Sequence, residues 1–293
     1  MNWDDTRIFL AVARSGQLLS AARALGVNHA TVARRLSALE TDLGVKLVDR
    51  RTTGSTLTAA GERLLGTAER IEAEVLAARA EIGGADVAVS GTVRIGAPDG
   101  FGVAYLAPRL GVLTERHPSL TLQLVPAPRA VSLSRREADI AITVERPDHG
   151  RLVARKLVDY RLGLYASRTY LARAGMPESA QELKDHATVG YVEDLVYSTA
   201  LAYAEEIDRA FHPRFEIASA LGQTEAVRSG AGIGILHAFI ARQDRNLVQV
   251  LPEHTIARSY WLVLHESVRD LGRVRVVADF ISETVAGERA IFA

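Results

Sequence analysis

The chain has 293 residues, 48% apolar and 24% charged, the ordinary balance of a soluble globular protein with room for two domains or three small ones. Thirty-five basic side chains cancel 35 acidic ones, which excludes a protein basic along its whole length, and no run of about 18 apolar residues is present to span a membrane. Zero cysteines exclude disulfides, thiolate metal sites and a cysteine nucleophile. The acidic start Asn2-Trp3-Asp4-Asp5 lacks the basic and apolar regions of a secretion signal, so a cytoplasmic location is expected.

Charge is unevenly spread. Residues 1–54 carry eight basic side chains against five acidic ones, a hint that one end touches nucleic acid. Asp4–Ala13 has a helical apolar face at Ile8, Phe9 and Val12, with Asp4 and Asp5 at its positive end. Gly16 breaks it, and a short Ala-rich helix over Leu18–Leu25 stops at Gly26. Asn28 suits an N-cap for a helix from His29 to Leu43, whose buried stripe is Val32, Leu36, Leu39 and Leu43. Ala30, Thr31, Arg34, Ser37 and Ala38 point the other way, small residues beside a guanidinium able to pair bidentately with guanine.

Two short helices joined by such a turn match a helix-turn-helix, although an amphipathic helix with a solvated face fits the same pattern. The next fifteen residues or so tip the balance. Extended stretches at Val45–Val48 and Gly54–Leu57 flank Asp49-Arg50-Arg51-Thr52-Thr53, a wing whose guanidinium and hydroxyl groups suit phosphate oxygens or a minor groove. Candidate DNA contacts are Asn28, His29, Ala30, Thr31, Arg34, Arg35, Arg50, Arg51, Thr52 and Thr53. His29 either reads a base edge or flanks the core.

From Thr58 the chain reads as one helix to Ile82. Leu64, Ala68, Ile71, Val75, Ala78 and Ile82 recur at alternating spacings of four and three, a seam that pairs helices. It meets either the chain's own body or a second chain, and its place between two domains favours the second chain. Residues 83–90 are small enough for a linker.

Strand and helix patterns then alternate: strands at Val93–Gly96, Leu120–Val125, Asp139–Val144, Leu162–Ala166, Ala187–Val192 and Gly234–Leu236. Helices are expected at Tyr105–Arg116, Arg129–Glu137 and Arg273–Ser282, the last burying Val276, Val277 and Phe280. The alternation implies an α/β domain with a mostly parallel sheet. Ligands of such sheets bind beyond strand carboxyl ends against helix N-termini. That selects Pro98, Asp99, Gly100 and Phe101, then Arg129, Thr143 and Glu145, and on the later strands Tyr191, Gln223 and Thr224 as ligand-binding candidates.

The order Ala21-Ala22, Leu25-Gly26-Val27, Thr31-Val32, Arg34-Arg35-Leu36, Leu39-Glu40, Leu43-Gly44-Val45-Lys46-Leu47, Asp49-Arg50 and Leu57-Thr58-Ala59-Ala60-Gly61 resembles the N-terminal signature of LysR-type transcriptional regulators. The resemblance is strong over the first sixty residues and extends more loosely through Arg135–Ile142 and Arg228–Ile235. It departs at Leu19, where the family commonly has Ser or Thr, at His29 (Gln) and at Ala33 (Ser), so no operator sequence carries over.

The resemblance implies a winged helix-turn-helix over 1–58 and a linker helix that makes the dimer over 59–88. It also implies a periplasmic-binding-protein-like effector domain of two α/β lobes, 89–160 with 267–293 and 161–266. The chain is expected to cross between lobes near Asp159–Arg161 and Glu266–Val268. Implied partners are double-stranded DNA, a small-molecule effector and further copies in a dimer or tetramer; RNA polymerase is expected too.

Family members often have Ser or Thr at Asp99, leaving the helix N-terminus free for an effector carboxylate. A carboxylate side chain there occupies that position itself, which favours a neutral or cationic effector, or an anion held by Arg129; a plain helix cap fits equally. The rival classes are a solute-binding protein without DNA activity and an enzyme. Gly230, Gly232 and Gly234 lack the preceding strand and following acid of a nucleotide loop. The eight histidines form no metal-spaced cluster, so no catalysis, cofactor or metal is expected.

Overall fold

The computed structural model describes residues 2–51, 54–83, 89–126, 138–147, 151–196, 198–207 and 211–293. The chain divides into two compact units, Met1–Val87 and Ala88–Ala293.

In the first unit α1 (Trp3–Ser15), α2 (Leu18–Leu25) and α3 (His29–Leu43) are followed by β1 (Val48–Arg51), β2 (Gly54–Leu57) and α4 (Ala59–Gly83). Asn2 caps α1, its side chain accepting from Asp5 N at 2.8 Å, and Asn28 caps α3, accepting from Ala30 N at 2.9 Å. Gly26 closes α2 in the left-handed region, where a side chain would be strained, so the chain turns sharply into α3. Ile8, Phe9, Val12, Val32, Leu36 and Leu39 form the core of this unit, as their helical spacing implies.

Leu43 departs from the expected stripe and is 36% exposed. One turn earlier Glu40 is buried instead, because it binds the wing: its Oε1 accepts from Leu47 N at 3.0 Å and Val48 N at 3.2 Å, and its Oε2 accepts from Lys46 Nζ at 2.7 Å. That clamp holds Val45–Leu47 as a loop, so the first wing strand starts at Val48, later than the sequence pattern indicates, and pairs antiparallel with β2 from Val48↔Leu57 to Arg51↔Gly54. Thr58 fastens the far side, donating from Oγ1 to Lys46 O at 2.7 Å and accepting from Gly61 N at 3.1 Å. A Cβ on Gly61 would lie 2.1 Å from Leu47 O, so only glycine lets α4 approach the wing.

The second unit begins with β3 (Gly91–Ala97) and α5 (Asp99–Phe101), which runs through a π-helical turn (Gly102–Leu106) into α6 (Ala107–Arg116). Next come β4 (Leu120–Pro126), β5 (Ile140–Thr143), β6 (Leu152–Ser167), α7 (Arg168–Ala174), β7 (Thr188–Gly190), α8 (Ala204–Ile207), β8 (Phe215–Glu216) and α9 (Ala220–Arg228). The chain closes with β9 (Ile233–His237), α10 (Ala238–Ala241), β10 (Leu247–Gln249), β11 (Thr255–His265), α11 (Glu266–Arg269) and α12 (Gly272–Gly287). The expected helix over Arg129–Glu137 lies outside the described residues.

Among the described residues nine strands form one sheet, ordered β4-β3-β5-β11-β6-β9-β7-β8, with β10 beside β6. The α/β class stands, but the sheet is mixed. β3 runs parallel to β4 and β5, and β7 parallel to β8 and β9, whereas the central pair β6 and β11 is antiparallel along its whole length. The two parallel ends are the lobes, joined by this pair. β6 passes from one to the other where Tyr160–Leu162 face Ile256–Arg258. The return crossing lies within β11, at the irregularity between Tyr260 and Trp261, and not at Glu266–Val268: Trp261–Leu264 already pair with β5 of the first lobe.

In α12 the buried residues are Val274, Val277, Ala278, Ile281 and Val285, a regular helical stripe. Val276 and Phe280, expected inside with Val277, stand off that stripe and are not among its buried residues.

Candidate nucleic-acid interface and effector cleft

The helix-turn-helix fixes the direction of each candidate contact on α3. His29, Ala30 and Arg34 are exposed and Thr31 is half-buried. His29 therefore points to solvent and does not flank the core. Asn28 is exposed but spends its side-chain oxygen on Ala30 N. Arg35 reaches back to α1, 3.4 Å from an Asp4 oxygen and 3.5 Å from an Asp5 oxygen. Arg50 and Arg51 occupy β1 opposite Ser55 and Gly54; their side chains, and Thr52 and Thr53 entirely, lie outside the described residues.

Ion pairing sorts the basic side chains of this unit in a way that counting charges does not. Arg14 is bound to Glu72 of α4, Lys46 to Glu40, and Arg35 to the acids of α1. Arg7, Arg23 and Arg34 have no ion pair among the described residues, so uncommitted positive charge is left on α1, α2 and α3. The burial of Glu40 pushes its carboxyl up, but the Lys46 ammonium and the Leu47 and Val48 N–H groups outweigh that and hold it below the usual carboxylate value. Leu19, at the start of α2, is 51% exposed.

The pairing seam of α4 divides. Ala68 is buried in the core of its own unit and Leu64 packs against it, together with Leu65, which the seam omitted. Those two seam positions are consumed inside one chain. Ile71 and Val75 are half-buried and Ala78 is exposed, while the Ile82 side chain lies outside the described residues.

In the second unit the effector candidates separate into cleft and core. Asp99, after β3, does not cap the helix it opens. Its carboxylate crosses to the other lobe and sits on the N-terminus of α9. Ser219 Oγ donates to it at 2.6 Å, Leu221 N at 3.2 Å and Ala220 N at 3.3 Å. Glu145 makes a second crossing, accepting from Ala200 N at 2.8 Å, and Thr143 donates to Glu145 O at 2.6 Å. Both lobe-I carboxylates selected from the sequence therefore bind lobe-II backbone.

Phe101 is not in the cleft wall. It is fully buried, its ring centroid 4.5 Å from that of Tyr260 and 5.1 Å from that of Tyr105. Gly100 is buried too, and a Cβ there would lie 3.3 Å from Ala220 Cβ. Pro98 and Tyr191 are half-buried. Thr224 is buried with its hydroxyl on Ala220 O at 2.8 Å, while Gln223 is 2% exposed and its Nε2 donates to Ile217 O at 2.9 Å. Arg129 lies outside the described residues.

Sequence reasoning missed His237. It stacks on Tyr160 with ring centroids 5.3 Å apart, and its burial pushes its pKa down to about 4 against the smaller opposing pull of Asp99. The end of a buried strand gave no sign that its last residue would face Asp99. Tyr191 is shifted upward, by burial first and then by Asp99. A cavity of about 820 Å³ opens in lobe II, with Tyr191 and Gln223 in its wall.

Gly230 and Gly232 lie in the helix-to-strand turn between α9 and β9, and Gly234 is already within β9. Among the described residues no grouping fit to hold a metal ion is present, and no helix is long and apolar enough to cross a membrane.

These features match known proteins over both units. Residues 3–62 match the bacterial regulatory helix-turn-helix proteins of the lysR family, and residues 88–286 match the LysR substrate binding domain. The HTH-type transcriptional regulator CrgA of Neisseria meningitidis is similar at 31% identity over 96% of this chain and 96% of that one. DmlR of Escherichia coli, also an HTH-type transcriptional regulator, is 29% identical over 97% of this chain and 94% of that one. Among solved structures, that of CrgA superposes with a TM-score of 0.62 at 28% identity, covering 97% of this chain and 99% of the other. The full-length virulence activator AphB of Vibrio cholerae gives 0.56 at 25% identity, covering 99% and 100%.

Proposed function

From the premise that this chain belongs to the LysR family of bacterial transcriptional regulators, we propose which of its residues do the regulator's work. Arg34 and Thr31 of α3 face bases, Arg34 through bidentate hydrogen bonds to guanine. Arg50, Arg51, Thr52 and Thr53 of the wing grip phosphates or a minor groove. The observation that carries this reading is Arg34 itself, exposed and without an ion pair among the described residues, one turn from exposed Ala30 on the same helix. Arg35 is left out of the contact set, because Asp4 and Asp5 hold it.

Two such heads on a dimer read a roughly palindromic operator, since protein symmetry imposes symmetry on the DNA. Ile71, Val75 and Ala78 of α4, half-buried or exposed in their own unit, make the dimer seam, and dimers pair into tetramers. A small molecule bound in the two-lobed domain shifts lobe or dimer arrangement, which requires unequal affinity for the two arrangements. The protein works in the cytoplasm, engages RNA polymerase and catalyses no reaction. Arg34→Ala is expected to relax base preference at one position in each half-site, and Arg51→Ala to weaken all sequences alike and flatten the salt dependence. Unchanged binding of both variants across sequences and salt would refute the placement.

A further inference from the structure

We infer that the Arg14–Glu72 ion pair aims each DNA-binding head on the dimer helix, and so sets the half-site spacing the regulator accepts. The inference rests on the DNA and dimer readings above and adds the positioning residues. Arg14 stands in the last turn of α1 and Glu72 in the middle of α4. The pair is two-pronged: Arg14 Nη1 donates to Glu72 Oε1 at 3.0 Å, and Nη2 donates to Oε2. With side chains 35% and 16% exposed it is partly shielded from water. A planar guanidinium on a planar carboxylate also fixes an angle, which a single ammonium contact does not.

The place of Glu72 on α4 gives the pair its leverage. Leu65, Ala68 and Glu72 recur at spacings of three and four and form one stripe. Leu65 and Ala68 are buried in the core of the head, and Glu72 carries that stripe one turn further along the helix. Ile71, Val75 and Ala78 form the neighbouring stripe, about a quarter turn round at roughly 100° per residue. The head contact and the dimer seam therefore meet at Ile71 and Glu72. Apolar packing is non-directional, so the roll of α4 against α1 is set by the ion pair at that boundary. The same end of α1 holds the wing, because Gly16 O, two residues on, accepts from Ser55 N at 2.7 Å. Wing and seam are thus both referred to one helix end. A change of roll swings each recognition helix about the seam, and one base pair of half-site spacing corresponds to only about 3.4 Å and about 35°.

The test uses the full chain. Because the sequence has no cysteine, Thr41→Cys places a single spin label on each head, at an exposed position of α3 away from the proposed base contacts. Electron–electron distances between the two labels of a dimer are expected to be narrowly distributed when the native pair is present. They are expected to broaden in Arg14→Gln and in Glu72→Gln, and to narrow again in the swapped Arg14→Glu/Glu72→Arg protein. The DNA upstream of the protein's own gene supplies the second readout. One base pair inserted between its footprinted half-sites is expected to cost the native protein at least about tenfold in affinity, and the single variants less than about threefold. Circular dichroism and melting confirm that each variant folds; a pair that only stabilised the head would lower the melting temperature and move neither readout. Single variants with the native distance distribution, a swapped pair as broad as they are, or no inter-label distance at all would overturn the inference. Broadened distances in the variants, with no sequence preference in the native protein, would keep the aiming role and reject the DNA reading, so the two failures are distinguishable.

Discussion

Asp99 of one lobe accepts a 2.6 Å hydrogen bond from Ser219 Oγ of the other. With the Ala220 and Leu221 N–H groups on the same carboxylate, the positive end of α9 is satisfied by the protein itself. The two lobes are thereby tied by a side chain that takes the donors a helix N-terminus offers an anion.

Replacing Asp99 tests that tie. Asp99→Ser is expected to destabilise the second unit by about 1–2 kcal/mol, the cost of a lost charged cap, and to open the α9 N-terminus to anions. Thermal melts of wild type and variant across a benzoate series check it. The variant gains stabilisation by benzoate that the wild type lacks; identical responses would show that the carboxylate does not guard the site.

Glu40 links the recognition helix to the wing, so its removal is expected to loosen both. Glu40→Ala leaves the Leu47 and Val48 N–H groups without their acceptor and costs roughly 2–3 kcal/mol. Because the folded carboxyl is held below its ordinary value of 4.5, its contribution is fully present above that value and is lost as pH falls through the lowered one. Urea unfolding of the head, followed by far-ultraviolet circular dichroism between pH 3 and 7, reads this. A flat profile in both proteins would contradict it.

His237 gives the second unit a different acid limit. Its value falls from 6.5 unfolded to about 4 folded, so the unfolded chain binds the extra proton between those values. Stability is therefore full above 6.5 and declines on acidification towards 4, by on the order of 3 kcal/mol. His237→Phe retains a ring against Tyr160 and removes the titration. Calorimetric melting of the second unit from pH 7 to 4 is expected to fall less steeply in the variant.

How far the sequence could carry these conclusions depended on the range of the interactions. Ile8, Phe9, Val12, Val32, Leu36 and Leu39 were legible because helical periodicity is local, and Asn28 because a cap acts within one turn. Arg35 could not be told from its neighbour Arg34 in the sequence, because only the fold brings it to Asp4 and Asp5, thirty residues away. β11 was missed as a strand. It and β6 cross from one lobe to the other, so their buried faces change along their length: the alternation breaks at Arg155–Val158 in β6, and at Arg258–Ser259 and Leu262–Leu264 in β11. Phe101 looked like part of a ligand loop because it lies two residues after Asp99; the π-helical turn and the rings of Tyr105 and Tyr260 turn it into the core. Asp99 was singled out for its charge, but the helix it serves lies 120 residues on, beyond any local pattern.

The measurement closest to the central claim is fluorescence anisotropy of the purified protein on the DNA immediately upstream of its own gene. A scrambled duplex of equal length serves as control, through a salt series. A sequence-specific regulator is expected to prefer the native sequence by about a thousandfold or more, with affinity falling steeply as salt rises. Equal, weak binding to both duplexes at every salt concentration would contradict it.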